Sequence, residues 1–215
     1  MSDRLVHRLR PAAAEPAGAL VLIHGRGADE HDLAPLLEEL DPDRRLVGVL
    51  PRGPLALPQG GAHWYVVSRV GYPDAATFAA GFERLGDFVD GLPDALGVPW
   101  DRIVLGGFSQ GAVMALALGL GRGRPAPAAI VALSGFVPTV DGWEADVAGR
   151  QTLPIAIAHG TLDPVIPVEF GHAARNLVRA GGIEPLYYES SIGHTIDSAA
   201  IPAIRDFVRE ATASK

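Results

Sequence analysis

The stretch VLGGFSQGAVMALALGL (residues 104–120) sets a single serine among glycines between two apolar runs. The run IVL at 103–105 predicts a short buried strand, and AVMALALGL at 112–120 is apolar on every side, as in a helix buried in a larger core. Ser109 therefore lies at a strand-to-helix corner. Glycines at such a corner indicate a backbone that turns where a side chain would clash, or that comes close to a ligand. A nucleophile elbow combines both requirements.

Apolar runs that predict buried strands alternate with runs of helical spacing along the chain. The predicted strands are 18–25, 46–51, 103–105, 128–135, 153–160 and 185–190. The predicted helices lie near 33–40, 78–92, 112–120, 168–180 and 201–208, and an edge strand is expected within 4–10. Continuous apolar strands that alternate with helices are typical of a mainly parallel sheet covered on both faces, so the predicted fold class is α/β. A loop rich in Gly and Pro at 52–74 is long enough to be functional.

Composition and charge exclude several classes of protein. The chain has 215 residues, 48% hydrophobic and 20% charged, which predicts one globular domain over residues 1–215. Its net charge of -7, without a run of Lys or Arg, argues against nucleic acid or an anionic membrane surface as partner. The N-terminus lacks the apolar core of a signal peptide, and no segment is apolar enough to span a membrane, so a cytoplasmic protein is expected. With no Cys, disulfides and thiolate catalysis are excluded.

Four clusters of polar and glycine residues follow predicted strands. They are HGRGAD, GFSQG, HGTLDP and SIGHT. In an open parallel sheet, ligands bind at the carboxyl ends of the strands, in the loops that lead into helices. The motif G-x-S-x-G alone is weak evidence, but a strand before it and a helix after it are the context in which the serine becomes a nucleophile.

The order Ser, then Asp, then His along the chain is the order expected for a triad on this architecture. Asp163 follows the strand at 153–160, and His194 follows the strand at 185–190. A serine hydroxyl needs a base to take its proton, and the base needs a carboxylate to hold its tautomer. We therefore predict Ser109 as nucleophile, His194 as general base and Asp163 as its carboxylate.

Other acids and histidines near these loops have simpler interpretations. The rival acids are Asp141 and Asp146, in a polar segment, and Asp197, which could cap the last helix. The histidines expected to hold loops or to face solvent are His24, His159, His7, His31 and His172. His63, beside Trp64, is open between a structural role and the lining of a site. Since no spacing of His, Asp and Glu is convincing for a metal, neither a metal nor a cofactor is expected.

An oxyanion hole requires two N–H donors near the nucleophile. The amide of Gln110 lies at the predicted helix N-terminus, and the second donor should come from the loop after the first strong strand. HGRGAD fits this position, so the Arg26 amide is the predicted second donor. The Arg26 side chain could face solvent or select weakly for acidic groups.

The segments HGRGADEHDL, GGAHWY, GGFSQGAVMAL, LSGFVP, HGTLDPVIP and GHT together resemble the phospholipase/carboxylesterase family, which includes acyl-protein thioesterases and small bacterial carboxylesterases. The resemblance spans about residues 18–208. It implies an α/β-hydrolase fold without a large cap domain, the triad Ser109, Asp163 and His194, and the Arg26 and Gln110 amides as oxyanion hole. It also implies hydrolysis of carboxylic esters or thioesters, and family members commonly form homodimers.

The resemblance leaves the substrate open. Family members often carry an acidic residue directly after the Trp-aromatic pair, whereas Val66 and Val67 follow it here. Trp64 and Phe136 are expected to contact the substrate, although Trp64 could instead be a buried aromatic that fixes the loop. No exposed apolar or basic patch can be identified, which favours a short- to medium-chain carboxylesterase over an acyl-protein thioesterase or lysophospholipase. A catalytically inactive binding module is the alternative from another class.

Overall fold

The computed structural model describes residues 5–213. Its strands are β1 (His7–Arg10), β2 (Gly18–Ile23), β3 (Leu46–Pro51), β4 (Leu55–Ala56), β5 (Ala62–His63), β6 (Val67–Arg69), β7 (Tyr72–Pro73), β8 (Ile103–Phe108), β9 (Ala129–Leu133), β10 (Ile155–Gly160) and β11 (Leu186–Ser190). Its α-helices are α1 (Ala34–Leu40), α2 (Ala75–Asp90), α3 (Leu92–Leu96), α4 (Gln110–Leu120), α5 (Val168–Ala180) and α6 (Ile201–Ala211). The two ends of the predicted domain, 1–4 and 214–215, lie outside the described residues, and Arg4 of the expected edge strand is among them.

Within the described part of the chain, seven strands form a central sheet in the order β1-β3-β2-β8-β9-β10-β11. Neighbouring strands pair in parallel, except that β1 pairs antiparallel with β3 at one edge. The predicted α/β class and the expected edge strand are confirmed. β3 and β8 lie on opposite sides of β2, and a change of direction of this kind opens a crevice at the carboxyl ends of the strands.

Successive residues of the strands enter two separate cores, one on each face of the sheet. In β2, Ala19, Val21 and Ile23 pack into the core that holds α2, α4 and α5. Leu20 and Leu22 pack into the opposite core, with α1 and α6. Because both faces are covered, the central strands β2, β3, β8 and β9 carry no polar side chain, which is why period-2 alternation is missing from these runs of the sequence.

The helix α4 lies inside the protein along its whole length. Every residue of α4 is buried, and the helix packs against β2, β8 and β9. This burial explains the absence of a polar face from the run 112–120 and confirms that it forms a buried helix. The helix begins two residues earlier than the run, at Gln110, directly after the turn that carries Ser109.

The loop at 52–74 contains two small antiparallel hairpins, β4 with β5 and β6 with β7. The sequence did not predict them, since strands of two or three residues are too short to show a period. Two backbone hydrogen bonds hold the loop to the segment HGRGAD: Gly27 N donates to Ala62 O (2.9 Å) and Ala62 N donates to Ala28 O (2.8 Å). None of the helices in residues 5–213 has the length and apolar character needed to cross a membrane.

Candidate active site

Ser109 occupies the turn between β8 and α4 in a conformation that non-glycine residues seldom adopt. Its φ is 55° and its ψ is -120°. The Ser109 N–H donates to Leu133 O of the neighbouring strand (2.9 Å), and Val113 N donates to Ser109 O (3.2 Å). These bonds hold the strained turn from both sides, so the position of the hydroxyl is fixed before any substrate arrives.

Ser109, His194 and Asp163 form a continuous chain of hydrogen bonds. Ser109 Oγ lies 3.0 Å from His194 Nε2, and His194 Nδ1 lies 2.6 Å from Asp163 Oδ2. Because a carboxylate only accepts hydrogen bonds, Nδ1 carries the proton of the neutral ring and the Nε2 lone pair faces the serine hydroxyl. The three side chains predicted from separate strand ends are therefore within reach of one another, in the arrangement that proton transfer from the serine requires.

Asp163 is held by its own loop as well as by His194. Its Oδ1 accepts hydrogen bonds from the backbone amides of Val165 and Ile166, both at 2.8 Å. Burial by itself would raise the pKa of Asp163, but the hydrogen bonds from His194 and the two amides outweigh it and lower the pKa below its ordinary value. The carboxylate therefore stays ionised at neutral pH with one oxygen committed to the histidine.

Two glycines of the motif are required by close packing rather than by turn geometry. A Cβ on Gly107 would lie 2.4 Å from the backbone carbon of Gly111, and a Cβ on Gly111 would lie 1.8 Å from the Ile23 carbonyl oxygen. The first turn of α4 thus packs directly on the ends of β8 and β2. This close approach brings the segment HGRGAD next to the serine, since a Cβ on Gly25 would lie 3.2 Å from Ser109 Cβ.

We expect Gly111→Ala to destabilise the protein by about 3 kcal/mol or more, because the backbone of β2 cannot move away from the added methyl group without disturbing the sheet. For a chain of this size the melting temperature should fall by roughly 6–12 °C, as measured by thermal unfolding followed by circular dichroism. Gly91→Ala is the matched control, since its Cβ would have neighbours at 3.6 and 3.7 Å. Equal melting temperatures for the two variants would contradict the close-packing explanation.

The two predicted oxyanion donors are free to bind a ligand. Neither the Arg26 amide nor the Gln110 amide donates a hydrogen bond to any residue in the described part of the chain. The Gln110 N–H is the first of α4, where the helix dipole adds positive potential. The Arg26 side chain is exposed. Both N–H groups are therefore available to donate hydrogen bonds to an oxyanion, and their role as the oxyanion hole stays a prediction.

The side chain of Gln110 ties the loop at 52–74 to the nucleophile turn. Its Oε1 accepts a hydrogen bond from Trp64 N (3.0 Å), and its Nε2 donates to Tyr65 O (2.9 Å). Trp64 is completely buried, and its indole N–H donates to His24 O (2.9 Å). The placement of Trp64 does not support direct contact with substrate. It matches the alternative, in which a buried aromatic side chain fixes the loop.

Phe136 is placed much like Trp64. It is 4% exposed, and its ring packs against Phe170 with the two ring centres 5.3 Å apart. A side chain enclosed in this way has little surface to offer a substrate, so the expected contact with Phe136 also lacks support. The sequence could not separate the two roles, because an aromatic residue beside a site and one beneath it produce the same local pattern.

We expect Gln110→Met to destabilise the protein by about 1–3 kcal/mol for each of the two backbone groups that it leaves buried without a partner. The loop should loosen, so that KM rises more than kcat falls. Thermal unfolding and steady-state kinetics measure the two effects. Gln59→Met, an exposed position in the same loop, should change neither quantity. A Gln110→Met variant with wild-type stability would show that the two hydrogen bonds do not hold the loop.

Two histidines near the site hold loops together, as predicted. His24 Nδ1 donates to Gly25 O (2.7 Å), and its Nε2 accepts from Gly53 N (2.9 Å). Burial lowers the pKa of His24, which keeps the ring neutral as these two bonds require. His159 Nε2 donates to Ile166 O (2.8 Å) in the loop that carries Asp163.

The remaining candidates take structural positions. His63 is buried with its Nδ1 3.1 Å from Tyr65 O, which decides the open case in favour of a structural role. Asp146 accepts from Gly149 N and Asp197 accepts from Ala199 N. Asp197 lies in the turn before α6 and does not cap that helix, contrary to the expectation, because the turn places the backbone of Ala200 at the cap position. Among residues 5–213 no group of three or more His, Asp or Glu side chains could hold a metal ion.

No pattern in the sequence predicted a groove beside His194. Phe108 stacks against the His194 ring with the ring centres 4.8 Å apart, and both side chains line a groove of about 300 Å³. A larger cavity of about 510 Å³ lies between β1 and the helices α2 and α3, and none of the triad residues lines it. The position of Phe108, directly before Ser109 in the motif, was the one sequence feature that could have pointed to this groove. The other lining residues come from distant parts of the chain.

Known proteins match this chain over a region that includes all the loops of the candidate site. A family model described as Phospholipase/Carboxylesterase matches residues 7–212. The acyl-protein thioesterase 1 of Yarrowia lipolytica is 33% identical over 181 residues, covering 78% of this chain and 79% of that protein. The acyl-protein thioesterase 1 of Candida albicans is 27% identical over 222 residues, covering 94% and 95%. The crystal structure of esterase PE8 superposes with a TM-score of 0.80 at 28% identity, covering 97% of this chain and 99% of that one.

Proposed function

Because the chain belongs to the phospholipase/carboxylesterase family and is therefore a serine hydrolase that acts on ester bonds, we propose that it hydrolyses carboxylic esters of short to medium acyl chain length. The observation that carries the proposal is the hydrogen-bonded chain from Ser109 through His194 to Asp163, at 3.0 and 2.6 Å. A protein that only binds a ligand would not need these three side chains to be hydrogen-bonded in this order. The predicted cytoplasmic location and homodimer stay predictions.

The proposed reaction proceeds through an acyl-enzyme in two steps. Ser109 Oγ attacks the ester carbonyl carbon while His194 Nε2 takes its proton, and the amides of Arg26 and Gln110 bind the oxyanion that forms. The tetrahedral intermediate collapses as His194 gives its proton to the leaving alcohol oxygen. Water, deprotonated by His194, then attacks the acyl carbon, and the acid leaves as Ser109 recovers its proton. Asp163 keeps the ring in the required tautomer throughout.

Hydrolysis of thioesters on acylated proteins is the second candidate. The two curated relatives are named as acyl-protein thioesterases. The structure also has apolar surface that the sequence did not reveal: Leu162 is 67% exposed and Val165 is 48% exposed, on either side of Asp163. Exposed apolar side chains next to a site offer an acyl chain a place to bind. This candidate predicts a preference for long acyl groups.

Initial rates on p-nitrophenyl esters from acetyl to palmitoyl test the proposal. We expect kcat/KM to peak at short or medium chains and to fall by about tenfold or more for palmitoyl, a discrimination of the size that differences in methylene number produce. A palmitoylated peptide thioester is assayed in parallel. If the palmitoyl substrates are the faster ones, the thioesterase candidate replaces the carboxylesterase. If the wild type hydrolyses none of the esters or thioesters, both candidates fail.

A further inference from the structure

The groove beside His194 is lined by that one residue of the triad and by side chains to which the proposed reaction gives no role. Its volume is about 300 Å³, at the lower end of the range of roughly 300–1,000 Å³ that is typical of ligand sites. Apolar side chains at and just before the starts of α1 and α6 line it: Leu33, Leu36, Ile196 and Ile201. Two exposed acids, Asp32 and Glu39, line it as well.

We propose that this groove binds the leaving alcohol of the ester and that it favours apolar or cationic alcohols over anionic ones. The inference rests on the proposed ester hydrolysis and specifies one half of the substrate. The groove is small, so the alcohol it takes is of the size of a benzyl or choline group rather than a second long chain.

The position of the general acid assigns the groove to the alcohol and not to the acyl group. When the tetrahedral intermediate collapses, His194 Nε2 must lie within about 2.6–3.2 Å of the leaving oxygen to give it a proton. The leaving oxygen is therefore on the His194 side of the scissile carbonyl. Because His194 also lines the groove, the substituent on that oxygen has the groove beside it, while the acyl group stays on Ser109.

The charges at the groove decide which alcohols fit. An apolar alcohol gains from contact with Phe108 and Ile196, the half-buried apolar side chains of the lining. The carboxylates of Asp32 and Glu39 attract a cationic substituent and repel an anionic one. Arg205 partly offsets the charge of Glu39, because its guanidinium donates to the Glu39 main-chain oxygen (2.7 Å). Both acids are exposed, so solvent screening limits the preference to a few-fold.

The test uses esters of a single acid with different alcohols. Methyl, benzyl, choline and carboxymethyl butyrates all give the same butyryl-enzyme, so differences in kcat/KM among them arise before deacylation and report on the alcohol. Ser198→Trp narrows the groove at an exposed position. Thr152→Trp is the matched control. Thr152 is exposed and precedes β10, so it lies at the amino ends of the parallel strands, whereas the groove lies at their carboxyl ends.

We expect Ser198→Trp to lower the ratio of benzyl to methyl butyrate kcat/KM by about fivefold or more, a loss typical of a hydrophobic pocket that is filled. The relative rates on p-nitrophenyl acetate, butyrate and octanoate should be unchanged, because their alcohol is constant. Thr152→Trp should alter neither series. If Ser198→Trp instead changes the acyl-chain preference and leaves the alcohol preference intact, the groove holds the acyl group and the inference is overturned.

A pair of charge variants tests the selectivity. Asp32→Asn combined with Glu39→Gln should lower the ratio of choline to carboxymethyl butyrate kcat/KM by about twofold to fivefold, and more at low ionic strength. Asp94→Asn with Asp101→Asn removes the same two charges at exposed sites that do not line the groove and should leave the ratio unchanged. Equal effects of the two pairs would overturn the charge preference. Failure of the wild type to hydrolyse any ester would refute the proposed function itself, which is a separate result.

Discussion

Ser109→Ala should lower kcat for p-nitrophenyl butyrate by about 10⁴-fold to 10⁶-fold while the protein stays folded. The variant loses the only atom that forms the acyl-enzyme, and water must attack the ester directly. Binding and oxyanion contacts remain, so a small rate above that of the uncatalysed reaction should persist. The melting temperature should change by a few degrees at most, because one hydroxyl and its 3.0 Å bond to His194 are removed. Steady-state rates and thermal unfolding measure both effects.

Ser134→Ala is a demanding control for this variant. Ser134 is buried, has a positive φ of 50° and follows β9, the strand next to β8. It therefore shares the residue type, the burial and the unusual backbone of Ser109, but it is not bonded to His194. Its substitution should leave kcat within about twofold, as expected for a site outside the triad. Retained activity in Ser109→Ala, or an equal loss in Ser134→Ala, would disprove the assignment of the nucleophile.

Asp163→Asn should lower kcat by about 10⁴-fold without unfolding the protein. The amides of Val165 and Ile166 both donate to Oδ1, so the amide oxygen of the asparagine takes that place and its NH₂ group turns to His194. An NH₂ donor requires Nδ1 to accept, which moves the ring proton to Nε2. A protonated Nε2 in the neutral ring cannot take the proton of Ser109. The loss therefore comes from the wrong tautomer and not from a displaced side chain.

The rival acids supply the controls for Asp163. Asp146→Asn and Asp197→Asn make the same chemical change at carboxylates with other partners. Asp146 accepts from Gly149 N, and Asp197 accepts from Ala199 N and from the Ser190 side chain. Each should keep kcat within about twofold. Melting temperatures separate catalysis from folding. If Asp197→Asn lowers kcat as much as Asp163→Asn does, the acid of the triad has been assigned wrongly. If Asp163→Asn is fully active, His194 does not need a carboxylate to hold its tautomer.

The fold and the candidate triad were predictable because they rest on local patterns with a fixed geometric consequence. Apolar runs without alternation predicted strands buried on both faces, and the structure has those strands within two or three residues of their predicted bounds. In a parallel sheet the carboxyl ends of all strands lie on the same side. Residues that follow different strands, such as Asp163 and His194, could therefore be assigned to one site without knowledge of their contacts. The glycines of the motif were predicted as positions where a side chain would clash or where the backbone comes close to a ligand, and a Cβ on Gly111 would clash with the Ile23 carbonyl oxygen.

The expectations that the structure leaves without support concern which way a side chain faces. Trp64 and Phe136 lie in segments close to the site, yet both are buried. Asp197 lies shortly before α6, but its carboxylate accepts a hydrogen bond from Ala199 N in the preceding turn and does not cap the helix. Sequence spacing gives the position of a residue along the chain, while the direction of its side chain depends on neighbours that pack against it from other elements. The loop at 52–74 is the clearest case, since the Gln110 side chain holds it from α4.

Residue types and their spacing along one chain were enough to identify the fold class and the family and to predict the order of nucleophile, acid and base. The packing of distant segments was needed to show that Trp64 supports the loop, that Leu162 and Val165 are exposed, and that a groove opens beside His194. Surfaces of this kind are formed by segments far apart in sequence, such as α1 and the turn before α6. Their shape follows from packing across the sheet, and no local pattern encodes it.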